Sequence, residues 1–111
     1  MEPVLQEEIR RLVDDLAAGR FSEIVADGRC GRLSDQELRT AINDYGRTLR
    51  SLPDEAWAEV DTFPQDDDPD VLAVDVPIWT YEEGRSDLTL SLTAKRRKGG
   101  YTLAIDDLHV M

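Results

Sequence analysis

Cysteine and histidine are almost missing from this 111-residue chain, which holds one of each, Cys30 and His109. One thiol cannot close a disulfide within the chain, which agrees with a reducing compartment. With one imidazole and one thiol, zinc would have to rely on several carboxylates, so neither a metal nor another cofactor is expected. Positive charge is also short: 13 Lys and Arg face 24 Asp and Glu, a formal net charge of −11. Such a field repels nucleic acid and anionic membrane and favours a basic protein partner. No apolar run approaches the length of a membrane span, and the opening MEPVLQEEIRRL has neither the basic start nor the unbroken apolar stretch of a signal peptide. The expected location is cytoplasmic. Internal repeats, linkers and low-complexity segments are absent as well.

What is present suits one domain over residues 1–111, with 41% apolar and 33% charged residues. The first half reads as helical. Pro3 stands where its missing N–H costs little, and Leu5, Ile9, Leu12, Val13 and Leu16 form one apolar stripe, so a helix is expected from Pro3 to Ala18 with Gly19 as its stop. The next segment, FSEIVADGRCGRL, holds one short helical turn through Ile24 and Val25 before Gly28 and Gly31. Ser34 and Glu37 fit a capping box that opens a second helix, with Leu33 and Leu38 as a hydrophobic staple and Gly46 as the end. Leu49 and Leu52 then form a buried connection closed by Pro53.

The second half reads as sheet. Trp57 to Phe63 alternates as a first, edge strand, and QDDDPD from Gln65 to Asp70 is an acidic loop. In Val71 to Trp79, Leu72, Val74, Val76 and Ile78 share one face, and Pro77 belongs at an edge or irregularity because it has no amide donor. Leu88, Leu90, Leu92 and Ala94 alternate with Thr89, Ser91 and Thr93, and Tyr101, Leu103 and Ile105 resume the pattern after a polar turn from Lys95 to Gly100. Leu108 and Val110 fall on the opposite parity, so a β-bulge at Asp106-Asp107 is predicted to keep both inward. The fold class is α+β: N-terminal helices (1–52) packed on one face of a curved, mainly antiparallel four-stranded sheet (56–111).

Two places carry candidate binding residues. In the hairpin loop, Trp79, Tyr81, Glu82, Glu83, Arg85 and Asp87 form either a recognition patch or a turn whose composition is structural. Near the end, Asp106, Asp107 and His109 bring two carboxylates and the imidazole close together. As metal ligands or an acid/base pair they are too few, and a bulge whose carboxylates accept amides or pair with Arg85 is favoured. Antiparallel pairing is expected to bring Arg85 to Asp106 or Asp107. The KRRK of 95–98 reads as a solvated turn, and Gly28-Arg29-Cys30-Gly31 has the wrong spacing for a phosphate loop. No catalytic or metal residue is assigned.

WTYEEGRSDLTL at 79–90 and IDDLHV at 105–110 resemble a family of small bacterial proteins marked by WT-x-EEGRSDLTL and a closing DDLHV, for which no activity is established. LVDDLAAGRF and the second helix resemble it more loosely. The layout is similar to the cystatin-like or NTF2-like group, in which helices fill the concave side of a bent sheet. By analogy with compact acidic immunity proteins, the first reading of function is a non-enzymatic binding protein that covers a basic partner through Glu82, Glu83, Asp66, Asp67 and Asp68. A second is a small-molecule-binding or enzymatic domain, its pocket between helices and sheet lined by Trp57, Trp79 and Tyr101, with Asp106, Asp107 or His109 as polar groups. A third is self-assembly through a sheet face or edge, as a homodimer.

Overall fold

The computed structural model describes residues 1–65 and 67–110. Pro3 starts helix α1 (Pro3–Ala17), and all five residues of the expected stripe, Leu5, Ile9, Leu12, Val13 and Leu16, are buried on one side. Helix α2 (Phe21–Ala26) is longer than the single turn expected. It buries Phe21 and Ile24 and leaves Val25 40% exposed at its C-terminal end. Helix α3 (Asp35–Tyr45) opens on the predicted capping box: Glu37 N donates to Ser34 Oγ at 3.0 Å and Ser34 N to Glu37 Oε1 at 3.1 Å. It ends at Gly46.

The five strands are β1 (Leu49–Arg50), β2 (Asp61–Gln65), β3 (Asp68–Thr80), β4 (Gly84–Arg97) and β5 (Gly100–Val110). They make one antiparallel sheet in the order β1-β3-β4-β5, curled into a half-barrel, with β2 also on β3. The four expected strands are therefore joined by β1, two residues of the connection between α3 and Pro53. Because β4 occupies one side of β3, β1 and β2 share the other. β1 pairs with Trp79 and Thr80 and β2 reaches no further than Asp75, so Pro77 lies in the gap between them, where no amide donor is required.

Three expectations need correction. The Trp57 to Phe63 segment is not one strand, since Asp54–Glu59 forms a 3-10 helix and extended chain begins only at Asp61. Pro53 precedes that helix, Ala56 is buried, and Trp57 and Val60, one turn apart, pack on the core; this three-residue spacing outweighs the alternation that suggested a strand. The polar turn is shorter than Lys95 to Gly100. Arg97 still pairs with Gly100, leaving Lys98 and Gly99 as the turn, while Arg96 pairs with Glu2 at 2.6 Å and lies over the Tyr101 ring. The bulge at Asp106 is present, with pairing passing from Leu92↔Ile105 to Ser91↔Asp107, and it returns Leu108 to the core. Val110 remains 58% exposed, at the free end of the edge strand.

Sheet and helices meet across a filled interior. Val74, Val76, Ile78, Leu90, Leu92 and Ile105 face Ile9, Leu12, Val13, Ile24 and Leu38, none more than 1% exposed. Trp57 and Trp79 pack half-buried against this cluster rather than around a cavity within it. The segment after α2 closes the layer over the outer edge of β5. Ile105 N donates to Arg29 O at 2.8 Å, and the Arg29 guanidinium clamps Asp15 (2.6 Å) and Asp27 (2.7 Å). Gly31 has φ +60°, and a Cβ there would fall far inside contact distance of the Ile105 carbonyl oxygen, so the close approach requires glycine.

Candidate functional site

The turn from β3 to β4 is a three-residue loop, Tyr81-Glu82-Glu83, closed by the Thr80↔Gly84 pair, with Gly84 at φ +76° in the left-handed position such loops use. Its two carboxylates are spent inside the molecule. Glu82 accepts from Thr48 N at 2.8 Å and Thr48 Oγ1 at 2.9 Å, and these two donors hold its carboxyl below the ordinary carboxylate range. Glu83 accepts from Tyr45 Oη at 2.8 Å and Thr80 Oγ1 at 3.1 Å. Both carboxylates therefore fasten the hairpin to the connection between α3 and β1. All three loop residues are exposed, Tyr81 at 72% with the Arg50 guanidinium 5.7 Å from its ring centre. Trp79 is half-buried, its ring against Gly84.

Arg85 does not meet Asp106 or Asp107. It stands opposite Trp79 on β3, whereas Asp107 pairs with Ser91, about 20 Å further along β4 at roughly 3.3 Å per residue. Its guanidinium pairs with Glu59 at the end of the 3-10 helix, a residue the sequence reading left unassigned. Between Arg85 and Thr89 the register with β3 shifts. Ser86 turns inward to donate to Ile78 O at 2.7 Å and accept from Leu88 N at 3.2 Å, while Asp87 stays exposed. A shallow hollow of about 250 Å³ results, lined by Glu59, Asp61, Asp75, Pro77, Arg85, Ser86, Asp87 and Thr89.

That hollow opens onto the sheet face turned away from the helices. Strand pairing sets Asp61, Asp75, Ser91 and Asp107 side by side across β2, β3, β4 and β5. Ser91 Oγ donates to Asp75 Oδ1 at 2.9 Å. Asp107 Oδ1 accepts from Leu108 N at 2.9 Å, and its other oxygen lies 3.1 Å from His109 Nδ1, close enough for an ion pair but without the alignment of a hydrogen bond. Asp106, the bulged residue, accepts from Thr93 Oγ1 at 2.7 Å. Pro77, Thr89 and His109 form the adjoining row.

The structure thus splits the candidates. Asp106, Asp107 and His109 gather on the outer face with Asp61 and Asp75, Arg85 and Asp87 border it, and Glu82 and Glu83 act as staples. Asp67 and Asp68 are exposed at the β2–β3 turn, and Asp66 lies outside the described residues. Asp75 was legible in principle, as the one charge between Val74 and Val76 in an alternating strand. Asp61 was not, because its place depends on where the 3-10 helix ends. Among the described residues no three His, Cys, Asp or Glu side chains gather so as to hold a metal ion. Among the described residues no helix is long and apolar enough to cross a membrane. The Ser91 hydroxyl gives its hydrogen bond to a carboxylate rather than to His109, so this row lacks the nucleophile–base contact of a hydrolase.

Residues 13–111 match a protein family described as a domain of unknown function (DUF7668), and the chain belongs to that family. No curated protein and no solved structure gives a significant match.

Proposed function

We propose that this DUF7668 protein is a non-enzymatic binding module that docks a basic protein partner on the open face of its sheet, in the manner of an immunity or antitoxin protein. The observation that carries the reading is the row Asp61-Asp75-Ser91-Asp107, which presents three carboxylates across four neighbouring strands. Side chains fixed on strands lose little freedom on binding, and ionised carboxylates only accept, so the surface selects lysine and the forked donors of arginine. The net charge of −11 extends that preference to long range, speeding encounter with a basic protein and turning away nucleic acid and anionic membrane. The buried layer between helices and sheet is almost wholly apolar, which suits a recognition surface on the outside better than a polar ligand site within. A cytoplasmic location goes with this reading.

The test is photo-crosslinking in the native host through a reactive residue at Ser91, followed by calorimetric titration of the captured protein. The reading expects a basic protein whose affinity falls about tenfold or more in an Asp61→Asn, Asp75→Asn, Asp107→Asn triple variant and also falls with added salt. A captured partner that binds the triple variant as tightly as the wild type would sink it.

A further inference from the structure

The basic side chains are not spread evenly over this acidic chain. Two hollows, of about 380 and about 450 Å³, share Ala17, Ala18, Thr48 and Leu49 and so make one trough where the end of α1 meets β1. Its walls carry Arg39 and Arg47 in the first hollow and Arg20 and Arg50 in the second, against a single carboxylate, Asp14. Arg20 and Arg39 are already engaged with Asp15 and Asp35. Arg47 and Arg50 are not: among the described residues their polar contacts are main-chain oxygens, Gly46 O and Ser51 O, each at 3.3 Å. Glu82, whose charge Arg47 feels, gives both of its oxygens to Thr48. Arg50 also lies beside the ring of Tyr81. Arginine and an exposed tyrosine are the side chains most enriched where protein interfaces concentrate their binding energy. The first hollow also has apolar lining, including Leu16, Phe21 and Ile42.

We infer that this trough is a second docking site, for a short acidic peptide segment in extended form with an apolar residue between its carboxylates. Charge complementarity sets the sign: Arg47 and Arg50 are two forks whose polar contacts among the described residues are main-chain oxygens rather than carboxylates. The two joined hollows and the apolar lining of the first set the shape, since an extended segment follows a trough and can insert a leucine-sized side chain into the first hollow between its charged neighbours. The site is separate from the acidic row on the outer sheet face and takes a ligand of opposite charge, so the two readings stand or fall independently.

Fluorescence anisotropy with the full chain tests it, using a labelled, capped peptide in which one leucine sits between two pairs of glutamates. Binding is expected to be lost for the same peptide with glutamines, and to weaken about tenfold or more in an Arg47→Glu, Arg50→Glu double variant. Arg47 is exposed and Arg50 half-buried in β1, and a melt confirms that the variant is folded. Ala18→Glu, which places a carboxylate on the shared wall without touching either arginine, should also weaken the peptide. Amide shifts on titration should centre on Ala17, Ala18, Thr48 and Tyr81. The inference is overturned if the glutamate peptide does not bind, if it binds the double variant unchanged, or if inorganic phosphate alone displaces it at equal affinity, which would make the trough a small-anion site.

Discussion

The two faces of the sheet are built from the same strands by the same alternation and have opposite tolerances. On the helix side, Val74, Val76, Leu90 and Leu92 are sealed, and each touches side chains from another layer. One residue along, Asp75 and Ser91 face outward and bond only to each other. A period of two thus separates stability from display: the inward positions are constrained by packing, while outward ones such as Asp75 can carry charge. The comparison can be broken at four points, which follow in order of expected effect.

Leu90→Ala should cost about 2–5 kcal/mol in a denaturant melt, because a fully buried leucine leaves a cavity that a filled interior cannot collapse onto. Leu103→Ala belongs at the lower end of that range, being slightly open at the edge strand. A loss below about half a kcal/mol at Leu90 would mean that the inward face had been misassigned. Gly31→Ala should come next, at about 2–4 kcal/mol, combining the strain of a left-handed residue with overpacking against β5. Hydrogen exchange should then show the Ile105 amide losing protection, since its acceptor is Arg29 O on the displaced segment.

Arg29→Ala probes the same clasp through charge. It should cost about 1–3 kcal/mol, the scale of hydrogen bonds to ionised partners. It should also change the acid limb of the stability curve. Burial raises the Asp15 carboxyl, but the hydrogen bonds from Arg29 and Arg20 outweigh it and hold the group below the ordinary carboxylate range. A group with a depressed folded pKa adds stability above its unfolded value, near pH 4, and loses it as pH falls through the folded one. Melts from pH 6 downward should therefore fall less steeply for Arg29→Ala than for the wild type. Parallel curves would assign the acid sensitivity to other carboxylates, such as Glu2 beside Arg96 and Tyr101.

Much of this fold was legible because its signals are local. The stripe of α1, the capping box of α3, the alternation of β3 to β5 and the bulge at Asp106 each follow from residues a few positions apart. What failed depended on partners distant in sequence. Arg85 was assigned to Asp106 or Asp107 because the hairpin's ends were matched without counting register, and Glu59 became its partner only through a 3-10 helix that the alternation had hidden. Glu82 and Glu83 carry no sequence sign that Thr48 and Tyr45 receive them. Gly28 and Gly31 read only as the end of a short helical turn, whereas Gly31 permits a close approach of that segment to Ile105 on the sheet. Asp106, Asp107 and His109 are close in sequence and so are readable as one group, but their neighbours Asp61 and Asp75 come from strands whose pairing no local pattern states.

The smallest expected effect lies on the outer face and decides whether the comparison holds. Asp75 sits between Asp61 and Ser91 in the cross-strand row, with Asp107 beyond. Asp75→Asn keeps shape and an acceptor for Ser91 Oγ, and it removes one of the like charges facing each other across strands. Directly opposed like charges are destabilising, by a few tenths of a kcal/mol up to about 1. Losing a charge-assisted hydrogen bond costs a comparable amount, so the net change should fall within about 0.5 kcal/mol of zero. Added salt separates the two contributions. It screens the repulsion in the wild type, so the wild type should gain more stability from salt than Asp75→Asn does. If Asp75→Asn instead destabilised as Leu90→Ala does, the row would be holding the sheet together, and its carboxylates would not be free for a partner.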